Sequence, residues 1–287
     1  MLHLNLHTDR SQNVGLIKPK QLVDWSVKQG ISAACITDHD NMSAAIELYT
    51  ACNKAKIKPI YGMEVSVCAD KTRRERGSSN LVLLAKNREG FRNLITLATV
   101  GSMYFYYRPR IDITDLAKYG DGLIALTSCL YGLTAKAFFT GGQEAFQRSY
   151  DELHAVFGKD LYLEMQPAAK DTQRVYNTIC IDHSRKHGTQ LVVTGDPHYF
   201  AADDREFHEM FMRLKVVDND GKWEYPFAGD YHLRTWHEME YQFADLHGYD
   251  VSMVPEFKQA FEMPESIAAG IDHYDVREGV RLPTYFV

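Results

Sequence analysis

Residues 58–85 read KPIYGMEVSVCADKTRRERGSSNLVLLA, two apolar runs joined by a polar, basic stretch. The runs KPIYGMEVSV (58–67) and NLVLLA (80–85) have the length and the β-branched and leucine content of buried strands. The stretch between them, CADKTRRERGSSN (68–80), has no helical periodicity. Parallel strands need a long crossover, so a loop without a helix points to an antiparallel hairpin. The second run therefore begins at the rim where the first one ends.

Elsewhere the chain alternates strand and helix. Further strand-like runs are LHLNL (2–6), SAACI (32–36), GLIALTS (122–128), DLYLEM (160–165) and TQLVVTG (189–195). Amphipathic segments near 19–29, 42–55, 88–100, 131–140, 143–157 and 171–187 separate them. Asp171 and Thr172 are candidate caps for the last of these, which Gly188 closes, and Gly30 closes the first. Such alternation predicts an α/β fold with a largely parallel sheet or barrel. Seven runs favour an incomplete, distorted seven-stranded (β/α) barrel, whose chemistry collects at the C-terminal ends of its strands.

Those ends carry metal-type ligands. His7 follows the first run, and TDHD supplies Asp38, His39 and Asp40 after the second. Glu64 stands in YGMEV, Cys129 in TSCL, and Asp196 and His198 in TGDPHY, with Glu164 and Gln166 near the end of DLYLEM. Histidine, carboxylate and thiolate are the usual ligands of zinc, iron and manganese. Singly, each is an ordinary polar residue, cap or buried thiol. Convergence on one barrel mouth is what makes them a candidate centre. Clustered divalent ions there would favour hydrolysis of a phosphate ester.

The bulk properties fit that reading. The 287 residues carry a formal charge of −6, so contact with DNA would need a local basic patch. The five cysteines contain no CxxC pair, which predicts reduced thiols and a cytoplasmic setting. No apolar run reaches the ~20 residues of a membrane span, and the start lacks a signal-peptide layout.

The series HLxxHTxxS, ITDHxNM, GMEV, LVLLAKNREGFRNL, YRPRID, LTSCL and TGDPHYF resembles the PHP (polymerase and histidinol phosphatase) domain. Within it, the chain looks most like the N-terminal PHP domain of bacterial replicative DNA polymerase III alpha subunits. The likeness runs from residue 2 to about 213, continuing through YHLRTWHEME and MPESIAAGI toward RLPTYFV at the end. It implies a seven-stranded distorted barrel over 1–213. Residues 214–287 would be an extension, mostly helical with its second helix interrupted at Pro264, leading toward a polymerase palm that this chain does not contain. Active members of the family hold three metal ions with nine ligands, and polymerase-linked members can act as 3′–5′ exonucleases.

Carried over position by position, the resemblance leaves six of the nine ligands: His7, His39, Glu64, Cys129, Asp196 and His198. The other three positions hold Asn5, Val14 and Asn80. Each loss falls on a different metal position, and neutral asparagine is a weak ligand for borderline metals. The expectation is at most one divalent ion (Zn, Mn or Fe), near His7, Glu64 and Asp196, and no full three-metal centre. Glu64 and Asp196 are the candidate catalytic residues, with Arg110 as the candidate phosphate-binding residue. The resemblance implies a domain of DNA replication with weak or no phosphoesterase activity. It would serve as a platform for the polymerase body and for a proofreading exonuclease subunit. An active exonuclease and a free-standing phosphatase are the alternatives. MYFYYRPRID (103–112) and DKTRRER (70–76) are candidate contact surfaces, the latter for DNA backbone.

Overall fold

The computed structural model describes residues 1–12, 14–167, 169–214, 225, 227, 229–248 and 255–277. Six strands form one sheet: β1 (Ala33–Ile36), β2 (Lys58–Val67), β3 (Ser79–Ala85), β4 (Leu123–Leu126), β5 (Leu161–Met165) and β6 (Leu191–Val193). They lie in sequence order, and the sheet curls into a half-barrel. β3 runs antiparallel to both neighbours, whereas β1–β2, β4–β5 and β5–β6 are parallel. The hairpin read from residues 58–85 is therefore present, with Glu64 opposite Val82 and Ser66 opposite Asn80.

Residues 2–6 form no strand, so six strands stand among the described residues where seven were expected. The segment still lies beside the end of β1. Thr37 N–H donates to the Leu6 carbonyl at 2.9 Å, and Leu6 N–H donates to the Thr37 hydroxyl at 2.7 Å. A side chain takes the place of a ladder rung, which ends regular pairing there. On its far side, His7 N–H donates to the Pro197 carbonyl, just past β6.

The helices are α1 (Pro19–Lys28), α2 (Ala45–Ala55), α3 (Arg88–Met103), α4 (Ile113–Tyr119), α5 (Leu133–Phe157), α6 (Asp171–His187), α7 (Arg205–Arg213), α8 (Trp236–His247) and α9 (Pro255–Gly270). α5 spans the two segments expected at 131–140 and 143–157, with a non-helical Gly142 between them. α6 takes Lys170 as its N-cap residue without a side-chain cap; Asp171 and Thr172 fall inside its first turn. α9 continues through Pro264, where a break was expected. Proline there removes one helical hydrogen bond. Its ring, however, is buried on the same face as Phe257, Ala260, Phe261, Ile267 and Ala268, and that packing holds the helix through it.

Alternation along the strands sorts the core into two layers. On β3, Leu81, Leu83 and Ala85 pack in the larger cluster with Phe91, Leu94 and Leu97 of α3. Val82 and Leu84 face the other way, with Leu2, Leu4, Cys35, Ile60, Leu126 and Val192, under Ile267, Ala268 and Ile271. The inner face of β2 changes character along its length, from Ile60 in that second cluster to Glu64 and Ser66 beyond it. The interior is thus apolar at one end and polar at the other. The chemistry sits at the polar end.

Candidate metal centre

His7, His39 and His198 come together at this end, with ligand nitrogens all within 4.8 Å of one another. Their rings stack, centroids 4.2 Å apart for His7–His39 and 4.5 Å for His7–His198. Glu64 Oε2 lies 2.9 Å from His39 Nδ1 and 3.5 Å from His7 Nε2. Asp196 Oδ1 lies 3.2 Å from His7 Nε2. These groups line a cavity of about 500 Å³, together with Cys129, Val14 and Asn80.

The supporting hydrogen bonds fix which ring nitrogens point inward. Ser11 Oγ donates to Asp38 Oδ1 at 2.7 Å, so at 3.1 Å it accepts from His7 Nδ1–H. That leaves the His7 Nε2 lone pair facing Asp196 and Glu64. His198 Nδ1–H donates to the Asp196 carbonyl at 2.8 Å, leaving its Nε2 lone pair free. Orienting bonds of this kind set the tautomer of metal-binding histidines. Asp38 also accepts from Thr8 N–H and Thr8 Oγ, each at 2.7 Å, which ties the first segment to the TDHD turn.

Backbone strain gathers at the same mouth. Asp40 (φ 53°), Ser128 (φ 63°) and Asp196 (φ 49°) are left-handed without being glycine. Such residues cost about 1–3 kcal/mol each and persist where their surroundings hold them. Ser128 repays some of this by donating through Oγ to Glu64 and through N–H to Glu164. Asp40 accepts from Ser66 N–H at 2.8 Å and Ser66 Oγ at 3.0 Å.

The electrostatics are those of a cation-ready pocket. Burial, then the neighbouring His39, hold His7 down to about 3, so its ring is neutral. Burial, His7 and His208 likewise press His198 well below its usual range. Burial would raise Glu64, but the His39 charge and hydrogen bond, together with the Ser128 hydroxyl, bring it to about 2. Burial and the Glu64 and Glu164 charges push Asp196 well up. Asp196 Oδ1 is buried without a hydrogen-bond partner while a bare imidazole nitrogen faces it. A divalent cation would relieve both. The residues present therefore fit one ion, which would be held by His7, Glu64 and Asp196 with His39 or His198.

The remaining expected positions differ. Asn5 turns away from the cavity lining: its Nδ2 donates to Glu164 Oε1 at 3.0 Å, and its Oδ1 accepts from Thr37 Oγ at 3.2 Å. Val14 and Asn80 do line the cavity and offer no strong ligand atom. The Cys129 thiol is held well up by burial and by Glu64 and Asp196. Arg110 does not reach the cavity. Its guanidinium is buried and donates to the carbonyls of Tyr104, Arg73, Glu75 and Lys71. The cations that do line the cavity are Arg76, Arg108, Lys136 and Lys170. Arg76 and Arg108 lie in the DKTRRER and MYFYYRPRID stretches that the sequence singled out as contact surfaces, whereas Lys136 on α5 and Lys170 carried no such sign. The role of Ser11 and Asp38 in orienting His7 was carried by the HTxxS and TDH motifs but needs the geometry to be seen.

A curled α/β sheet with a histidine–carboxylate cluster at its mouth defines the class of the molecule. The chain belongs to the PHP domain family, which matches residues 3–168. It is 34% identical over 227 residues to the DNA polymerase III subunit alpha of Aquifex aeolicus, covering 75% of this chain and 20% of that one. With the same subunit of Borreliella burgdorferi it shares 32% over 257 residues, covering 85% and 22%. The chain thus spans about a fifth of the length of these curated relatives. Among solved structures, an amidohydrolase from Chromobacterium violaceum superposes with a TM-score of 0.46 at 16% identity, covering 69% of this chain and 87% of that one. Among the described residues, no helix is long and apolar enough to cross a membrane.

Proposed function

We propose that the chain is the PHP domain of a replicative DNA polymerase alpha subunit, with a metal centre reduced to one divalent ion. The observation that carries this reading is the set of three altered positions. Asn5 is engaged with Glu164, and Val14 and Asn80 bring no carboxylate or imidazole to the cavity. Loss of even a supporting partner weakens metal affinity ~10–100-fold, and loss of a ligand costs more. When bound, an ion would lower the pKa of a water and polarise a phosphate ester. This chain's own residues would orient it: Ser11 through His7, and Ser128 and His39 through Glu64.

With hydrolysis weak or absent, the domain's main work is as a cytoplasmic platform in DNA replication, carrying the polymerase body and a proofreading exonuclease. Residues 1–213 are the barrel, and 214–287 lead on toward the palm. RLPTYFV and most of the loop at 215–228 lie outside the described residues. In support, α9 covers the apolar end of the half-barrel, and Leu2 N–H donates to Glu265 at 3.1 Å. A second reading, an active metal-dependent 3′–5′ exonuclease, draws on the intact His7, Glu64 and Asp196 group.

Metal analysis after stripping and reloading with zinc or manganese separates these readings. The expected stoichiometry is at most one ion per chain, lost in His7→Ala. Three tightly bound ions would overturn the reduced centre. Metal-dependent cleavage of single-stranded DNA that Asp196→Ala removes would establish the second reading.

A further inference from the structure

A buried charge stands directly behind the metal cluster. Arg234, just ahead of α8, is only 2% exposed, and it is among the largest buried side chains. Its Nη1 donates to the Gly195 carbonyl at 3.4 Å, on the residue before Asp196, and reaches Met239 Sδ at 4.0 Å. Its Nε is buried without a hydrogen-bond partner. No carboxylate among the described residues forms an ion pair with it. Buried arginines are ordinarily paired, because an unpaired interior charge is costly and arginine does not shed its proton.

The groups around Arg234 do not supply the missing charge. His3 Nε2–H donates to the Arg234 carbonyl at 2.8 Å, and burial holds that ring down to about 3, so it is neutral. Burial also holds Tyr199 and Tyr231 up, so both keep their phenolic protons. The charges of Asp230 and Glu238 reach Arg234, but both are engaged elsewhere. Asp230 pairs with Arg205 at 3.1 Å, and Glu238 accepts from Thr235 N–H at 2.6 Å. What remains is the mouth. Asp196 adjoins the carbonyl that Arg234 holds, and the Arg234 charge opposes the rise that burial, Glu64 and Glu164 impose on it.

We propose that Arg234 is a resident counter-charge for the carboxylates of the metal cluster, a positioning residue that permanently supplies part of the positive charge an ion would bring and so loosens the hold on that ion. The proposal rests on the single-ion reading and adds what sets the affinity of that site. The sign does not depend on the protonation of Asp196. A divalent ion adds two charges to the cluster, or one where it displaces a proton, and a fixed cation repels either. Were Arg234 only a tie to the Gly195 carbonyl, its loss would loosen the turn that carries Asp196 and weaken ion binding instead.

The test is the zinc affinity of the full chain at neutral pH, by competition with a chromophoric chelator, alongside unfolding midpoints in excess chelator and in saturating zinc. Arg234→Met, uncharged and of similar length, should tighten zinc binding by about 5-fold or more. It should also widen the midpoint gap between zinc and chelator. Arg234→Lys keeps the charge and loses the guanidinium fork, so it should bind zinc as the native protein does. If Arg234→Met does not fold in chelator, zinc should restore it, and Arg234→Gln then carries the affinity measurement. Unchanged or weaker zinc binding in the uncharged variants overturns the proposal, as does an equal gain in Arg234→Lys. Binding by the native protein that the uncharged variants leave unchanged overturns this proposal alone; no binding by any of the proteins overturns the single-ion reading with it.

Discussion

Asn5 and Glu164 are joined on the floor of the half-barrel, Nδ2 to Oε1 at 3.0 Å, with neither side chain exposed. Glu164 also accepts from Gln166 Nε2 at 2.8 Å, from Ser128 N–H at 3.0 Å and from Thr194 Oγ. Burial raises its carboxyl, and these donors oppose the rise. Where the PHP resemblance places a metal ligand, this chain has a donor that helps solvate a buried carboxylate. The substitution is structurally integrated.

Asn5→Leu should therefore destabilise the fold by about 1–3 kcal/mol, because a buried acceptor loses a donor that no water can replace. Denaturant unfolding in chelator at neutral pH measures it. An unchanged midpoint would mean that the remaining three donors suffice.

Arg110, which the sequence assigned to phosphate binding, has a structural task instead. Its fork gathers the carbonyls of Lys71, Arg73 and Glu75 and pins the basic loop over β2. Arg110→Gln should cost about 1.5–3 kcal/mol, the range for hydrogen bonds to a charged group. It should also speed tryptic cleavage within residues 71–76, followed by mass spectrometry. Cleavage at the native rate would show that the loop is held by Lys71, whose Nζ pairs with Asp115 at 2.9 Å and Asp112 at 3.2 Å.

The fate of Arg110 shows where sequence reasoning reached its limit. The β2–β3 hairpin was legible because a missing crossover helix is a local, one-dimensional sign. The gathering of His7, His39, Glu64, Cys129, Asp196 and His198 on one cavity was legible because strand ends of a barrel converge. Residues 2–6 misled because their alternation is that of a strand, while the Leu6 rung goes to the Thr37 hydroxyl, a tertiary contact. Pro264 misled for the same kind of reason: burial of one helix face outweighs the local penalty. Arg110 and Arg108 are two residues apart in one motif, and only the fold decides which turns inward to carbonyls and which faces the cavity.

Gly195, directly before Asp196, tests how tightly the mouth is built. A Cβ there would sit 2.7 Å from His3 Cε1 and 2.9 Å from His3 Nδ1. The His3 ring cannot swing freely, since its Nε2 is 2.8 Å from the Arg234 carbonyl. Gly195→Ala should cost about 1–3 kcal/mol by overpacking. By displacing Asp196 it should also weaken binding of the single ion, read by zinc titration against a chromophoric chelator. Intact zinc affinity would show that Asp196 is not a ligand.

His183 makes the pH dependence of stability a further check, away from the metal cluster. It is buried on α6, its Nδ1 3.0 Å from Thr189 Oγ and its Nε2 without a hydrogen-bond partner. Burial, and then the charge of His187, lower it from its ordinary 6.5 to about 4. In the unfolded chain it takes up a proton near pH 6.5, while the folded chain resists until about pH 4. Between those values the unfolded state holds more protons, so stability falls as pH falls through that window. His3 and His7, both lowered to about 3 mainly by burial, act in the same direction. Asp196 and Glu164, held up by burial, act in the opposite direction, so the check is the difference in denaturant midpoint, in chelator, between the native protein and a variant. His183→Gln keeps a polar partner for Thr189 but cannot titrate, so it lacks the His183 contribution to the slope. The stability gap between native protein and variant should narrow as pH falls; a gap independent of pH would show that His183 is not held neutral in the fold.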